Sequence, residues 1–131
     1  GAASGLESNR YAKQREEERL AEEKRREERD AYLAQYPRFT VKEINDMREP
    51  NPYKFEQEWL GKTILITGEF WIINYGRMGL KDDDFSSVWC NFSGENRNQL
   101  YEPKHKEGDK IRVLGTVAPG EFITLNNCSL E

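Results

Sequence analysis

Residues Lys62 to Asn74 read KTILITGEFWIIN. Ile64, Ile66, Phe70 and Ile72 share one parity, and Leu65, Trp71 and Ile73 take the other. Alternation of this length predicts a β-strand that is apolar on both faces for part of its run. Gly68 interrupts it, and a glycine inside a long strand marks a bend or a bulge. A long strand that bends sharply is what a small closed barrel needs, so this stretch sets the expectation for everything downstream.

Four more strands follow. Asn74-Tyr75-Gly76-Arg77 is a turn signal, and Met78 to Lys81 is a short second strand. Asp82-Asp83-Asp84 is a polar loop. Ser87 to Phe92 is the third strand, with Val88, Cys90 and Phe92 on one side and Trp89 and Asn91 on the other. Glu95 to Tyr101 predicts a helical turn that docks Leu100. Gly108-Asp109 leads into the fourth strand, Lys110 to Val117, where Ile111 and Val113 point inward and Gly115 repeats the Gly68 signal. Ala118-Pro119-Gly120-Glu121 fits a type II turn, with Pro second and Gly third. The fifth strand is Phe122 to Leu130, with Ile123 and Leu125 inward and Cys128 near its end.

Upstream of Lys62 the pattern is helical. Asn51 caps a short helix with Pro52 in its first turn; it carries Tyr53, Phe55 and Trp59, and Gly61 closes it. Thr40-Val41-Lys42-Glu43 matches a capping box, opening a helix to about Arg48 with Val41, Ile44 and Met47 on one face. Before Pro37 lies a different kind of chain. Lys13 to Asp30, KQREEERLAEEKRREERD, contains only good helix formers, so a helix is expected from about Glu7 to Tyr36. Glu16 with Arg19, Glu22 with Arg25 and Arg26, and Arg26 with Asp30 stand three or four residues apart, each pair worth a few tenths of a kcal/mol. Between Ala12 and Ala31 the only apolar residues are Leu20 and Ala21, too few for a coiled-coil seam. The expected object is a solvated, ion-paired stalk, which Pro37 ends. Gly1 reads as the remnant of a cleaved tag, with a native segment upstream.

Three strands, a helical linker and two strands make the order of a five-stranded Greek-key OB-fold barrel. The expected class is therefore mainly β, with the barrel preceded by a long charged N-terminal helix and two short helices. The domains are 1–36, the stalk, and 37–131, the OB-fold domain (37–61 helical lead-in, 62–131 barrel). The chain also resembles a family, the tRNA-anticodon-binding-like OB-fold proteins, some of them bacterial lipoproteins described as nucleic-acid-binding. The residues that carry the resemblance are Gly61-Lys62-x5-Gly68, Val88-x-Cys90-x-Phe92, Gly108-Asp109-x5-Gly115 and Leu125-x-x-Cys128, within about residues 40–131. It implies the fold, a cell-envelope or periplasmic location with a lipid anchor as in some members, and nucleic-acid binding inferred from fold. A cytoplasmic location is the alternative.

Composition narrows the function classes. Of 131 residues, 36% are hydrophobic and 34% charged, and mean hydropathy is -0.94. Only six of the 40 apolar residues larger than Ala precede Pro37, so the core belongs to the second segment. No apolar run approaches the roughly 18 residues that span a bilayer. The net charge of -4 splits into -1 on residues 1–36 and -3 on the rest, which is not the basic footprint of a strong nucleic-acid binder. One His and two Cys cannot make a structural zinc site, which wants four ligands.

No enzyme, metal or cofactor is expected. His105, the only histidine, lies in a loop between two lysines and reads as solvated. Asp82, Asp83 and Asp84 lack the alternation and the Gly of a Ca²⁺ loop. In an OB barrel the third and fifth strands are neighbours, so Cys90 and Cys128 can face each other. They read either as two buried free thiols or as a disulfide, the latter implying an oxidising compartment. The ligand face of the fold is the outer surface of the second and third strands with the loops beside it. Here it offers Trp89, Asn91, Tyr75, Arg77 and Lys81, joined by Trp71 from the first strand. Few cations lie there, and Asp82 to Asp84 would repel phosphate. The primary expectation is a non-enzymatic module of an exported lipoprotein that recognises a protein or a small or peptidic ligand. The alternative is single-stranded nucleic-acid binding on the same face.

Overall fold

The computed structural model describes the backbone of residues 2–131 and the side chains from Ser8 onward; Gly1, read above as a tag remnant, lies outside the described residues. The chain forms two compact units, residues 1–35 and 36–131.

The first unit is one helix, α1 (Ala2–Leu33). Its described surface is almost wholly exposed, as the lack of an apolar seam requires. Arg19 Nε donates to Glu16 Oε2 at 3.1 Å, and Arg19 Nη1 donates to Glu23 Oε1 at 2.6 Å. The expected end at Tyr36 is corrected to Leu33. Ala34 still donates to the Asp30 carbonyl, but Gln35 turns back to Tyr32. The chain needs these residues to leave the helix before Pro37, whose ring forbids helical geometry one residue earlier.

The second unit opens with a strand that the periodicity did not signal, β1 (Arg38–Thr40), pairing parallel to Leu65–Thr67. Then come α2 (Val41–Arg48) and α3 (Pro52–Trp59). The capping box of α2 is complete: Glu43 N donates to Thr40 Oγ1 at 3.1 Å, and Thr40 N donates to Glu43 Oε1 at 3.0 Å. Asn51 Oδ1 accepts from Lys54 N at the start of α3. Val41, Ile44 and Phe55 are buried, while Met47 stays exposed.

The remaining strands are β2 (Thr63–Asn74), β3 (Arg77–Lys81), β4 (Ser87–Asn91), β5 (Lys110–Ala118) and β6 (Thr124–Leu130), with a 3-10 helix (Gly94–Leu100) between β4 and β5. They form a mixed six-stranded sheet in the order β1-β2-β3-β4-β6-β5, and β2 also pairs with β5. The pairings of β2 to β6 therefore close into a ring. The five strands expected are all present, β4 and β6 are parallel neighbours, and β1 is the sixth. Ile64, Ile66, Met78, Leu80, Val88, Cys90, Val113, Leu125 and Cys128 fill the interior.

Three local expectations need correction. First, the register of β2 against β3 shifts between Phe70 and Ile72. A bulge at Trp71 flips the parity, so Ile72 faces outward and Ile73 packs on the core. Second, Gly120 does not adopt positive φ, so the Pro119-Gly120 turn is not type II. Glycine is needed there for space instead: a Cβ would meet Thr124 Oγ1 at 2.6 Å. Third, His105 is half-buried rather than solvated, its ring stacked on Phe70 at 5.2 Å and its Nε2 3.1 Å from the Gln99 carbonyl oxygen.

The two glycines singled out in the sequence act differently. Gly115 sits where β5 and β6 lose register; Asn127 and Cys128 oppose it, and Asn127 takes φ 53°. Gly68 pairs regularly with Ile111. A Cβ there would lie 2.5 Å from Val41 Cγ2, so Gly68 lets α2 press on the sheet.

Candidate nucleic-acid interface

Alternation along β3 and β4 sorts the side chains. Met78, Leu80, Val88 and Cys90 enter the core, so Arg77, Gly79, Lys81, Trp89 and Asn91 share the outer face. Arg77 is opposite Asn91, and Gly79 is opposite Trp89. The bulge in β2 adds two outward residues, Trp71 and Ile72, to the same surface. The centroids of Trp71 and Trp89 are 5.5 Å apart, with ring planes tilted by 46°. The Arg77 guanidinium carbon lies 4.4 Å from the Trp89 centroid, within cation–π range. Arg77 Nε is buried there without an acceptor, and among the described residues no carboxylate pairs with Arg77. The aromatic ring, not an acid, holds this cation.

Two turns flank the cluster. The β2–β3 hairpin has positive φ at both central residues, Tyr75 (52°) and Gly76 (75°), the primed geometry that tight hairpins favour. It leaves Tyr75 96% exposed at its tip. Arg97, from the 3-10 helix, lies over this turn, its Nη2 2.8 Å from where a Gly76 Cβ would be. On the other side the β5–β6 turn presents Phe122, 56% exposed. Between that turn, Arg77 and Trp89 is an open cleft of about 460 Å³, completed by Thr124. Arg48 Nη2 fixes the turn by donating to the Gly120 carbonyl at 3.0 Å.

Of the six side chains expected on this face, Trp71, Trp89 and Arg77 form one cluster. Tyr75 stands beside it as an exposed tip. Asn91 donates to Asn126 Oδ1 at 2.9 Å, which occupies its amide. Lys81 lies at the far end, its side chain 11% exposed, with Nζ 2.6 Å from Glu107 Oε1 and 4.9 Å from the Phe85 ring. Its charge is already answered. The sequence reading missed Phe122 and Arg97. Phe122 stood in an expected strand, but an aromatic directly after a Pro-Gly turn was the available signal. Nothing local could have placed Arg97 over Gly76, because that contact spans more than 20 residues.

Away from the cluster, the acidic loop is organised by its own backbone, although Asp82 Oδ2 is buried without a partner. Asp82 Oδ1 accepts from the amides of Asp84 and Ser86 at 2.9 Å, shaping the acidic loop. Among the described residues no cluster of three His, Cys, Asp or Glu side chains could hold a metal ion. Cys90 and Cys128 are both buried and free. Cys128 Sγ donates to the Leu125 carbonyl at 3.4 Å, and a hydrogen bond with Cys128, then burial, pushes the Cys90 thiol up. Of the two readings of this pair, the structure shows the one with free thiols, neighbours in the core. No helix in the described residues is long and apolar enough to cross a membrane.

No family model matches the chain, and no curated protein sequence matches it. Similarity is found among solved structures. One, described as a putative nucleic acid-binding lipoprotein from Klebsiella pneumoniae subsp. pneumoniae, superposes with a TM-score of 0.66 at 19% identity, covering 78% of this chain and 97% of that one. The telomere capping protein Ten1 from Saccharomyces pombe follows at a TM-score of 0.47 and 15% identity, covering 72% of this chain and 80% of that one. A Stn1-ten1 complex from S. pombe gives 0.45 at 14% identity, with 72% and 75% covered. Over 78% of this chain the fold is thus shared with the Klebsiella structure, at an identity that speaks for fold alone.

Proposed function

We propose that residues 36–131 are an OB-fold barrel that binds single-stranded nucleic acid on the outer face of β3 and β4, without catalysis. The fold part is supported by the closed ring, the parallel β4–β6 pairing and the helix between β4 and β5. The observation that carries the function is the Trp71–Trp89–Arg77 cluster. Trp71 is exposed and Trp89 is half-buried with Arg77 over its ring. Rings that reach the surface accept bases of any sequence by stacking, and arginine planes do the same while also attracting phosphate. Tyr75 and Phe122 extend the stacking surface on either side. Arg97 adds a second cation beside the hairpin.

This reverses the order set by net charge. A formal charge of -4 describes the chain as a whole, whereas binding depends on charge local to the face. Locally Arg77 and Arg97 meet no carboxylate within ion-pair distance among the described residues, and Asp82 Oδ1 is taken up by amides of its own loop. Few cations should mean modest affinity with a shallow salt dependence.

Titration of short single-stranded DNA and RNA by fluorescence anisotropy at low and moderate salt tests the reading. Binding at low salt that weakens at moderate salt is expected. Absence of binding at low salt returns the face to a protein or peptidic ligand. An envelope location, supported by the description of the Klebsiella neighbour, is part of the same proposal, and cell fractionation tests it.

A further inference from the structure

The cleft beside the cluster is more selective than a stacking surface needs to be. Trp89 and Phe122 line it together with Arg77, Thr124 and Glu121. A carboxylate is out of place in a track for phosphate, which it repels. It is in place where a ligand brings hydrogen-bond donors. Arg77 brings only donors and meets no acid among the described residues, so it calls for acceptors. The occupant that fits is flat, apolar on its faces, and carries acceptors and donors on adjoining edges.

We infer that this cleft takes a single guanine base. Guanine presents acceptors at O6 and N7 to an arginine, and paired donors at N1–H and N2–H to a carboxylate fork. Adenine, cytosine and uracil or thymine each offer one donor group on that edge and cannot fill both oxygens. A volume of about 460 Å³ lies within the range of small-ligand pockets. The flanking rings would stack the base, as proteins do with bases splayed from a single strand. The inference rests on the reading of this face as a nucleic-acid interface, and adds which base it selects.

Four oligothymidylate nonamers, carrying G, A, C or T at the central position, separate the two claims; guanosine 5′-monophosphate is titrated alongside, read by tryptophan fluorescence. The G-bearing strand should bind roughly five- to 150-fold more tightly than the other three, the span of one bidentate base contact. Glu121→Gln keeps the shape but replaces one acceptor with a donor, and it should bind the four strands alike. Glu121 is exposed in a turn, so the variant should fold, and circular dichroism checks that it does. Equal binding of the four strands by the unaltered protein overturns the guanine assignment and leaves the interface standing. So does a preference that persists in Glu121→Gln. Quenching by the mononucleotide with no strand bound does the reverse: it upholds the cleft and overturns the strand reading.

Discussion

The Trp89 ring lies against Gly79 across the β3–β4 pair: a Cβ on Gly79 would come within 2.9 Å of Cζ3 and 3.1 Å of Cη2. The glycine leaves room for the indole to cover the strand, and the third approach, Ile72 Cγ2 at 3.2 Å, closes the slot from β2. A rigid ring on a strand pair costs less ordering entropy at binding than one that must be recruited. Gly79→Ala should therefore push the indole out, changing near-UV circular dichroism and weakening oligonucleotide binding, at a stability cost of about 1–3 kcal/mol. An unchanged tryptophan spectrum with unchanged affinity would show that the slot does not matter.

Three residues of the face, Trp89, Arg77 and Lys81, should separate by salt. Trp89→Ala should cost about 1–3 kcal/mol of binding at any salt concentration, since stacking carries no counterion. Arg77→Ala should reduce the slope of log K against log salt by about one. Lys81→Ala should leave the slope alone, because its ammonium already faces Glu107 at 2.6 Å. A slope change for Lys81→Ala equal to that for Arg77→Ala would place the strand's path elsewhere.

Gly68 and Val41 should be coupled. A Cβ at Gly68 falls 2.5 Å from Val41 Cγ2 and 3.2 Å from Leu80 Cβ. Gly68→Ala should destabilise by about 1–3 kcal/mol through overpacking. Val41→Ala alone also destabilises, by removing buried methyl groups. Together they should cost less than the sum, because the second change makes the space that the first needs. Additive losses in denaturant unfolding would mean that α2 simply shifts aside.

The Cys90 thiol, raised by its hydrogen bond with Cys128 and by burial, links stability to alkaline pH. In the unfolded chain a thiol titrates at about 8.5, while folded Cys90 holds its proton above that. The thiolate thus forms first in the unfolded state. Stability from this group is full below the unfolded value and is lost as pH rises from there toward the folded one. Between pH 8 and 10 the melting temperature of Cys90→Ala should fall less steeply than that of the unaltered protein, despite a lower starting value. Parallel curves would remove the thiol from the account.

What the sequence made legible was what neighbouring residues decide. The Thr40–Glu43 box and the Asn51 cap close within four residues, so the local sequence located them. Alternation announced β2 and β4, while the short β3 was placed by the turn before it. The bulge at Trp71 was not legible, because it is defined by which β3 residue each β2 residue meets. That single shift moved Ile72 onto the candidate face and Ile73 off it. The same holds for Asn127, whose left-handed backbone answers Gly115 on another strand. On the site, the residue types were visible and their company was not. Lys81 and Arg77 look alike in sequence, but one is paired with an acid and the other lies on a ring.

β1 is only three residues long, yet its position has a consequence for solubility. It pairs with Leu65–Thr67, on the side of β2 that β3 takes up only from Glu69 onward. Without it, Leu65–Thr67 would present open backbone donors and acceptors, a template on which another copy could add a strand. The segment that fills this gap is brief, preceded by Pro37, and opens with the charged Arg38. Those are the properties by which natural sheets discourage further pairing. Shortening the chain past Thr40 should thus be read first in light scattering at high concentration, where fibrils or soluble oligomers would report a sheet that has lost its guard.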